Sequence, residues 1–310
     1  MVVLTMGDPS GIGPEVTLKS LASPQVKGLA DFLIIGDRFV LERTKIDLGL
    51  KLNVPVLDLA NVRQGTFSYG KSKSSYGRAS VQYIDKALAL LGAGKARALV
   101  TAPVNKSSIN KAGYSSFRGH TEYLARRTGT KDFAMLFADK DLKIALVTRH
   151  LALNKVAKSL SEDGVYKTIM ITHRYLKNYF GIKNPRIAVC GLNPHAGEGS
   201  LLGSEERDII EPAIKRARKA GDIYGPVPSD TVFYEALKKK YDAVVSMYHD
   251  QALGPFKMLY FTSGVNLTIG LPFIRTSPDH GTAFNIAGKG IADPESMTEA
   301  IKLACSLRRS

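Results

Sequence analysis

Six histidines occur among 310 residues, and three of them share a position relative to their surroundings. His150, His195 and His249 each follow an apolar, strand-like run: Ile144–Thr148, Arg186–Gly191 and Ala243–Met247. A neutral imidazole is a good ligand for zinc and similar ions. Three protein ligands with one position left open is the pattern of a catalytic metal site rather than a structural one. These histidines lie far apart in the chain, so they can meet only if a sheet brings the strand ends together. Spacing alone fits equally well with three separate histidines, each hydrogen-bonded near its own loop. Of the others, His120 precedes Thr121, a residue suited to capping a helix, which would put His120 at a helix N-terminus where anions bind. It reads otherwise as an ordinary loop histidine. His173, among Lys and Arg in a helical stretch, is expected at the surface, and His280 in a turn.

The segment 249–282 is dense in further chemistry. Lys257 and Arg275 stand in mostly apolar surroundings, where a cation suits an anionic partner, and Arg suits bidentate recognition of phosphate or carboxylate. Asn266 could donate to the same group. Local salt bridges would account for each of these equally simply. Asp230, in Pro-Ser-Asp-Thr, could be a functional acid or only the first-turn acid of a helix, and Asp250 directly follows His249.

The elements that must position these residues alternate in the α/β manner. Expected strands are Val2–Thr5, Phe32–Ile35, Ala98–Thr101, Val265–Ile269 and the three runs that precede the histidines; several are continuously apolar, as strands buried on both faces should be. Expected helices are Pro14–Ser20, Ser80–Gly92, Thr121–Arg127, Glu162–Tyr179, Ser204–Ala220, Ser229–Lys239 and Pro294–Leu307, with Gln64–Gly77 a surface loop. Open α/β sheets bind ligands beyond the carboxyl ends of their strands, and the polar residues collect there. The glycine-rich link Gly7-x-x-x-Gly11-x-Gly13-Pro14 could cradle a phosphate or simply form a tight turn with Pro14 opening a helix. It is not a dinucleotide fingerprint, because Val16 stands where the third glycine should be.

Composition sets the outer bounds. A charged fraction of 23% and a hydrophobic fraction of 44% permit a sizeable core. No apolar run approaches the roughly 20 residues of a membrane helix, and the start lacks the pattern of a signal peptide, so the cytoplasm is expected and no membrane partner. Cys190 and Cys305 read as buried thiols. The formal charge of +15 is compatible with a nucleic-acid partner. Yet 215–219 and 238–240 read as solvated helix faces, and no nucleic-acid module is visible, so no such partner is expected.

Taken together, the stretches TMGDPSGIGPEV, VTAPVNK, GHTEYLA, CGLNPHAGEGSLLGSEE, PSDTVF, YDAVVSMYHDQALGPFK, GVNLTIGLPFIRTSPDHGTAF and ADPESM make the chain resemble the 4-hydroxythreonine-4-phosphate dehydrogenase family over almost its whole length. The one departure is a short N-terminus, which touches no site residue. The resemblance implies an α/β fold of two α/β/α domains with a cleft between them, like isocitrate and isopropylmalate dehydrogenases. The expected division is 1–105 plus 280–310 for one domain and 106–279 for the other. It implies a homodimer with its active site at the interface, and divalent-metal ligands His150, His195 and His249 shared between subunits. Substrate-binding positions would be His120, Thr121, Asp230, Lys257, Asn266 and Arg275, with Asp250 and Lys257 catalytic. The cofactor would be NAD or NADP, and the metal zinc, cobalt or magnesium. The implied reaction oxidises 4-phosphohydroxy-L-threonine at C3 and then decarboxylates it to 3-amino-2-oxopropyl phosphate, in pyridoxine biosynthesis. Related enzymes act on 4-phospho-D-threonate or 4-phospho-D-erythronate, or on aromatic cis-dihydrodiol acids. From outside the family, the charge leaves a non-catalytic anion or nucleic-acid binder as the remote alternative.

Overall fold

The computed structural model describes residues 1–308. The chain begins with β1 (Val2–Thr5), α1 (Gly13–Ala22), β2 (Phe32–Gly36), α2 (Arg38–Asp47), β3 (Val56–Asp58), α3 (Ser74–Gly92), β4 (Ala98–Thr101), α4 (Lys106–Lys111) and α5 (His120–Arg127). It continues with β5 (Ala134–Ala138), β6 (Lys143–Leu146), α6 (Leu153–Ser159), α7 (Glu162–Phe180), β7 (Ile187–Cys190), a π-helical turn at Glu206–Ile210 and α8 (Glu211–Ala217). Then come β8 (Ile223–Val227), α9 (Ser229–Leu237), β9 (Ala243–Ser246), α10 (His249–Tyr260), β10 (Val265–Ile269), β11 (Ile274–Pro278) and α11 (Glu295–Ser306).

These elements form two compact units, Met1–Gly129 with Leu271–Leu307, and Thr130–Gly270. In the first unit the strand order is β3-β2-β1-β4-β11, parallel throughout. Its central strands are wholly buried VVLT and ALVT runs, whose Val and Leu side chains suit a sheet covered on both faces. α1 packs on both α2 and α11, α3 packs with α4, and α11 and α3 reach β4. Segments 106–129 and 271–279, expected in the other domain, belong here because α4 packs on α3 and β11 pairs with β4.

In the second unit the order is β10-β5-β6-β9-β7-β8, with β10, β5 and β6 antiparallel in succession and β6, β9, β7 and β8 parallel. Its core gathers Phe137, Ile144, Leu146, Val244, Leu253 and Phe256. Three differences from the sequence reading matter. α3 starts at Ser74, inside the expected loop 64–77. The expected helix 204–220 is a π-turn followed by a shorter α-helix. His173 is buried rather than at the surface: its ring packs against Gly221, where a Cβ would come within 2.6 Å of Nε2.

Candidate functional site

In the first unit the register sets two loops side by side. Thr5 lies level with Thr101, so the chain leaves β1 and β4 at the same edge. Gly7 there has φ +75°, and a Cβ on it would strike the Pro103 carbonyl at 2.2 Å. The glycine is therefore required by backbone contact, which Asp8 N–H completes by donating to the Pro103 carbonyl at 2.9 Å. The Asp8 carboxylate accepts from Ser10 N–H at 2.9 Å and Ser108 Oγ at 3.3 Å, and burial pushes its pKa up to about 6.

Arg275, on β11, is 3% exposed and donates from Nη2 to Thr101 Oγ1 at 2.6 Å. Burial pulls its guanidinium down to about 9, opposed by the Glu122 carboxylate, so it stays cationic at neutral pH. His120 opens α5. Burial of its ring, then the charges of Arg275 and Lys106, hold its pKa well below the ordinary imidazole value, so it is neutral. Its Nε2 is enclosed and has no hydrogen-bond partner among the described residues. Thr121 is buried beside it in the first turn. The first unit thus gathers His120, Thr121 and Arg275, with Lys106 near enough to act on His120 through its charge. Chemically the set can bind an anion: a helix N-terminus, a neutral N–H donor or acceptor, and two cations.

In the second unit β6 and β9 run parallel with Leu146 level with Ser246. The pairing continues past both strands, Thr148 N–H and Oγ1 each donating to the Met247 carbonyl at 3.1 and 2.7 Å. That extension carries His150 alongside His249, with ring centroids 5.5 Å apart. His249 Nδ1 lies 2.7 Å from Asp250 Oδ1. With Nδ1–H donating, Nε2 keeps its lone pair for an external group, the arrangement by which a carboxylate fixes the tautomer of a metal-binding histidine.

His195 follows β7, the strand on the other side of β9. It does not complete a cluster: among the described residues no group of three or more His, Cys, Asp or Glu side chains comes together as a metal site within the chain. From His195 to Ser200 six successive residues have φ between +42° and +80°. Four of them are not glycine, and left-handed backbone costs such residues about 1–2 kcal/mol each. A strained turn of this kind persists only when its surroundings hold it. Glu206, 3% exposed on the π-helical turn, supplies the hold. Its Oε1 accepts from Leu192 N–H at 2.7 Å and Asn193 N–H at 2.8 Å, and its Oε2 accepts from Asn193 Nδ2 at 2.9 Å. Gln251 ties the same loop to β9, bridging Met247 N–H and the Gly191 carbonyl at 2.7 Å each.

The remaining candidates are placed singly. Asp230 is exposed in the first turn of α9. Asp250 is exposed apart from its contact with His249. Lys257 lies on α10 two turns beyond His249, its Nζ 5.8 Å from the Phe261 ring. Asn266 is half-buried on β10, opposite Phe137. Sequence reasoning missed Lys106 and Glu206. Lys106 follows the end of β4 as the histidines follow theirs, and position after a strand could have found it; Glu206 carries no such signal.

Paired imidazoles at parallel strand ends in one unit, and a buried cation acting on the histidine that opens a helix in the other, give this α/β protein groups suited to a metal ion and to small anions. The particular family follows from comparison: residues 28–304 match the family described as pyridoxal phosphate biosynthetic protein PdxA, and the chain belongs to it. It is 46% identical to a 4-hydroxythreonine-4-phosphate dehydrogenase of Desulfosudis oleivorans, over 98% of this chain and 95% of that one. It is 42% identical to a protein of Oceanobacillus iheyensis named "Putative D-threonate 4-phosphate dehydrogenase", over 99% and 97%. The crystal structure of the 4-hydroxythreonine-4-phosphate dehydrogenase from Klebsiella pneumoniae superposes with a TM-score of 0.89 at 39% identity, covering 98% of both chains.

Proposed function

We propose that the protein is an NAD(P)-dependent 4-hydroxythreonine-4-phosphate dehydrogenase. It would oxidise 4-phosphohydroxy-L-threonine at C3 and release 3-amino-2-oxopropyl phosphate and carbon dioxide. Full-length family membership, with relatives of that name above 40% identity, carries the reading. The anion-binding set at His120, Thr121 and Arg275 supports a phosphorylated or carboxylated substrate. Because His120 is neutral, the charge it offers an anion is nil and its contribution is a hydrogen bond; Arg275 and Lys106 supply the charge. Asn266 and Asp230 complete the proposed substrate contacts.

In the balanced reaction the C3 hydroxyl loses its proton and C3 gives a hydride to the nicotinamide. The C2 carboxylate then leaves as carbon dioxide, and C2 regains a proton. Asp250 is the proposed acceptor of the hydroxyl proton, and Lys257 the donor to C2 and stabiliser of the charge that builds there. A bound divalent ion supplies Lewis-acid polarisation of oxygen. Paired imidazoles at His150 and His249 suit zinc or cobalt better than magnesium. Two imidazoles fall one short of the three-ligand pattern, and the proposed third is His195 from a second copy of the chain. Large apolar side chains stand exposed in the same stretches as the histidines, Leu201 at 82% and Met258 at 80%. Apolar surface of that kind suits a protein partner, here the second subunit of a homodimer. The proposed setting is the cytoplasm.

The Oceanobacillus relative favours one other reading, oxidation of 4-phospho-D-threonate by the same residues. NADH or NADPH formation with each of the two substrates, before and after exhaustive chelation, tests both. The expected result is turnover of the L-threonine compound that chelation abolishes. Faster turnover of the D-threonate compound would reassign the substrate, and full activity after chelation would remove the metal from the scheme.

A further inference from the structure

We infer that Glu206, with Asn193, is the positioning residue of the metal site: it holds the left-handed turn that presents His195. The inference rests on the reading of His195 as a metal ligand and adds a residue that does not itself touch metal or substrate.

Several observations carry it. The Glu206 side chain is buried, yet every hydrogen bond it makes is to the residues entering the turn: Leu192 N–H, Asn193 N–H and Asn193 Nδ2. A buried carboxylate is expensive to keep unless its acceptors are filled, and here three donors from one short segment fill them. The turn also closes tightly over it. A Cβ on Gly197 would come within 2.7 Å of Oε2, and one on Gly191 within 3.0 Å of Oε1, so the backbone wraps the carboxylate from both sides. Six residues of left-handed backbone follow, beginning at His195 itself. Finally, Glu206 opens a π-helical turn, a distortion that occurs often at functional sites and here faces the His195 loop. Asn193 Nδ2 bridges Glu206 Oε2 and Glu205 Oε2 at 2.9 and 2.8 Å, so a second carboxylate braces the same amide.

Glu206→Gln tests this. It keeps Oε1 for the two backbone donors but turns an N–H toward Asn193 Nδ2, donor against donor. Binding of zinc alone is measured by titration calorimetry on the dimeric protein, for wild type, Glu206→Gln, His195→Ala and the double variant. Outer residues that orient a metal ligand change affinity by about 10- to 100-fold. Glu206→Gln is expected to weaken zinc binding by at least about 10-fold. Because it acts through His195, the double variant should bind no more weakly than His195→Ala alone, within about twofold. A merely structural role would instead give losses that multiply. If His195→Ala binds zinc as wild type does, the reading of His195 as a ligand fails and takes this inference with it. If His195→Ala is impaired while Glu206→Gln is not, or if the two losses multiply, the inference alone is overturned. Asn193→Ala, which removes only the side-chain donor, decides the matter if Glu206→Gln does not fold. A smaller loss that vanishes in the His195→Ala background supports the inference; wild-type affinity overturns it.

Discussion

Asp8 shows how a single burial can reverse the ordinary link between a carboxylate and pH. Its folded pKa of about 6 stands above the ordinary 3.8, because burial outweighs the hydrogen bonds from Ser10 and Ser108. The folded state therefore holds this proton more tightly than the unfolded chain. The stabilisation is complete below the unfolded value and is lost as pH rises through about 6, the reverse of a salt-bridged aspartate. The shift corresponds to about 3 kcal/mol at neutral pH. Asp8→Asn keeps an acceptor for Ser10 N–H and removes the charge. It should raise the denaturation midpoint at pH 7.5 and leave it unchanged near pH 4, as read by thermal melts across that range. A variant equally stabilised or destabilised at both pH values would show that the Asp8 charge is not what is strained. His120 and Arg275 follow the same logic of burial. The sequence could mark them as candidates by their neighbours, but not foresee that one would be neutral and the other enclosed.

Among the elements, legibility mostly followed burial and composition, with β5 the exception: Ala134–Ala138 is apolar and wholly buried, yet it was not among the expected strands. β1, β4 and β10 were readable to the residue because each is a short, apolar run buried on both faces or nearly so. β11, Ile-Arg-Thr-Ser-Pro, has only one apolar residue and is buried through polar contacts, such as Thr276 Oγ1 donating to the Ala300 carbonyl at 2.8 Å. Its composition resembles a loop, so Arg275 was recognised while its strand was not. β3 is three half-exposed residues, and β8 contains Gly225 and Pro226. α10 was hidden by Gly254 and Pro255 in its middle, although it carries His249 at its start and Lys257 in its last turn. What holds that helix in place is Phe256, fully buried, with ring centroids 5.8 Å from Phe137 and 5.4 Å from Tyr260. Phe256→Ala should cost roughly 3–5 kcal/mol in denaturant unfolding. A loss below about 1 kcal/mol would mean that the core can collapse around the vacancy and that α10 is anchored elsewhere.

For the molecule as a whole, the histidines pose a question of copy number. Three strand ends could be picked out from the sequence, and the order β6-β9-β7 does set them on neighbouring strands. Yet among the described residues His150 and His249 pair without His195, which opens a left-handed turn after β7. If the proposed site takes His150 and His249 from one copy and His195 from another, defects in different histidines should complement one another. His150→Ala and His195→Ala would each be inactive alone. Unfolded together and refolded as a mixture, they would form hybrid dimers in which one site inherits both defects and the other inherits none. Random pairing makes half the dimers hybrid, so activity should return to roughly one quarter of wild type per subunit. Sites built wholly within one chain allow no such rescue, since every copy in the mixture keeps its own defect. Refolding each variant separately before mixing gives the control, and activity should then rise only as fast as the dimers exchange subunits. A refolded mixture that stays inactive, with hybrid dimers verified by differently sized tags, would return all three ligands to a single chain or remove His195 from the set.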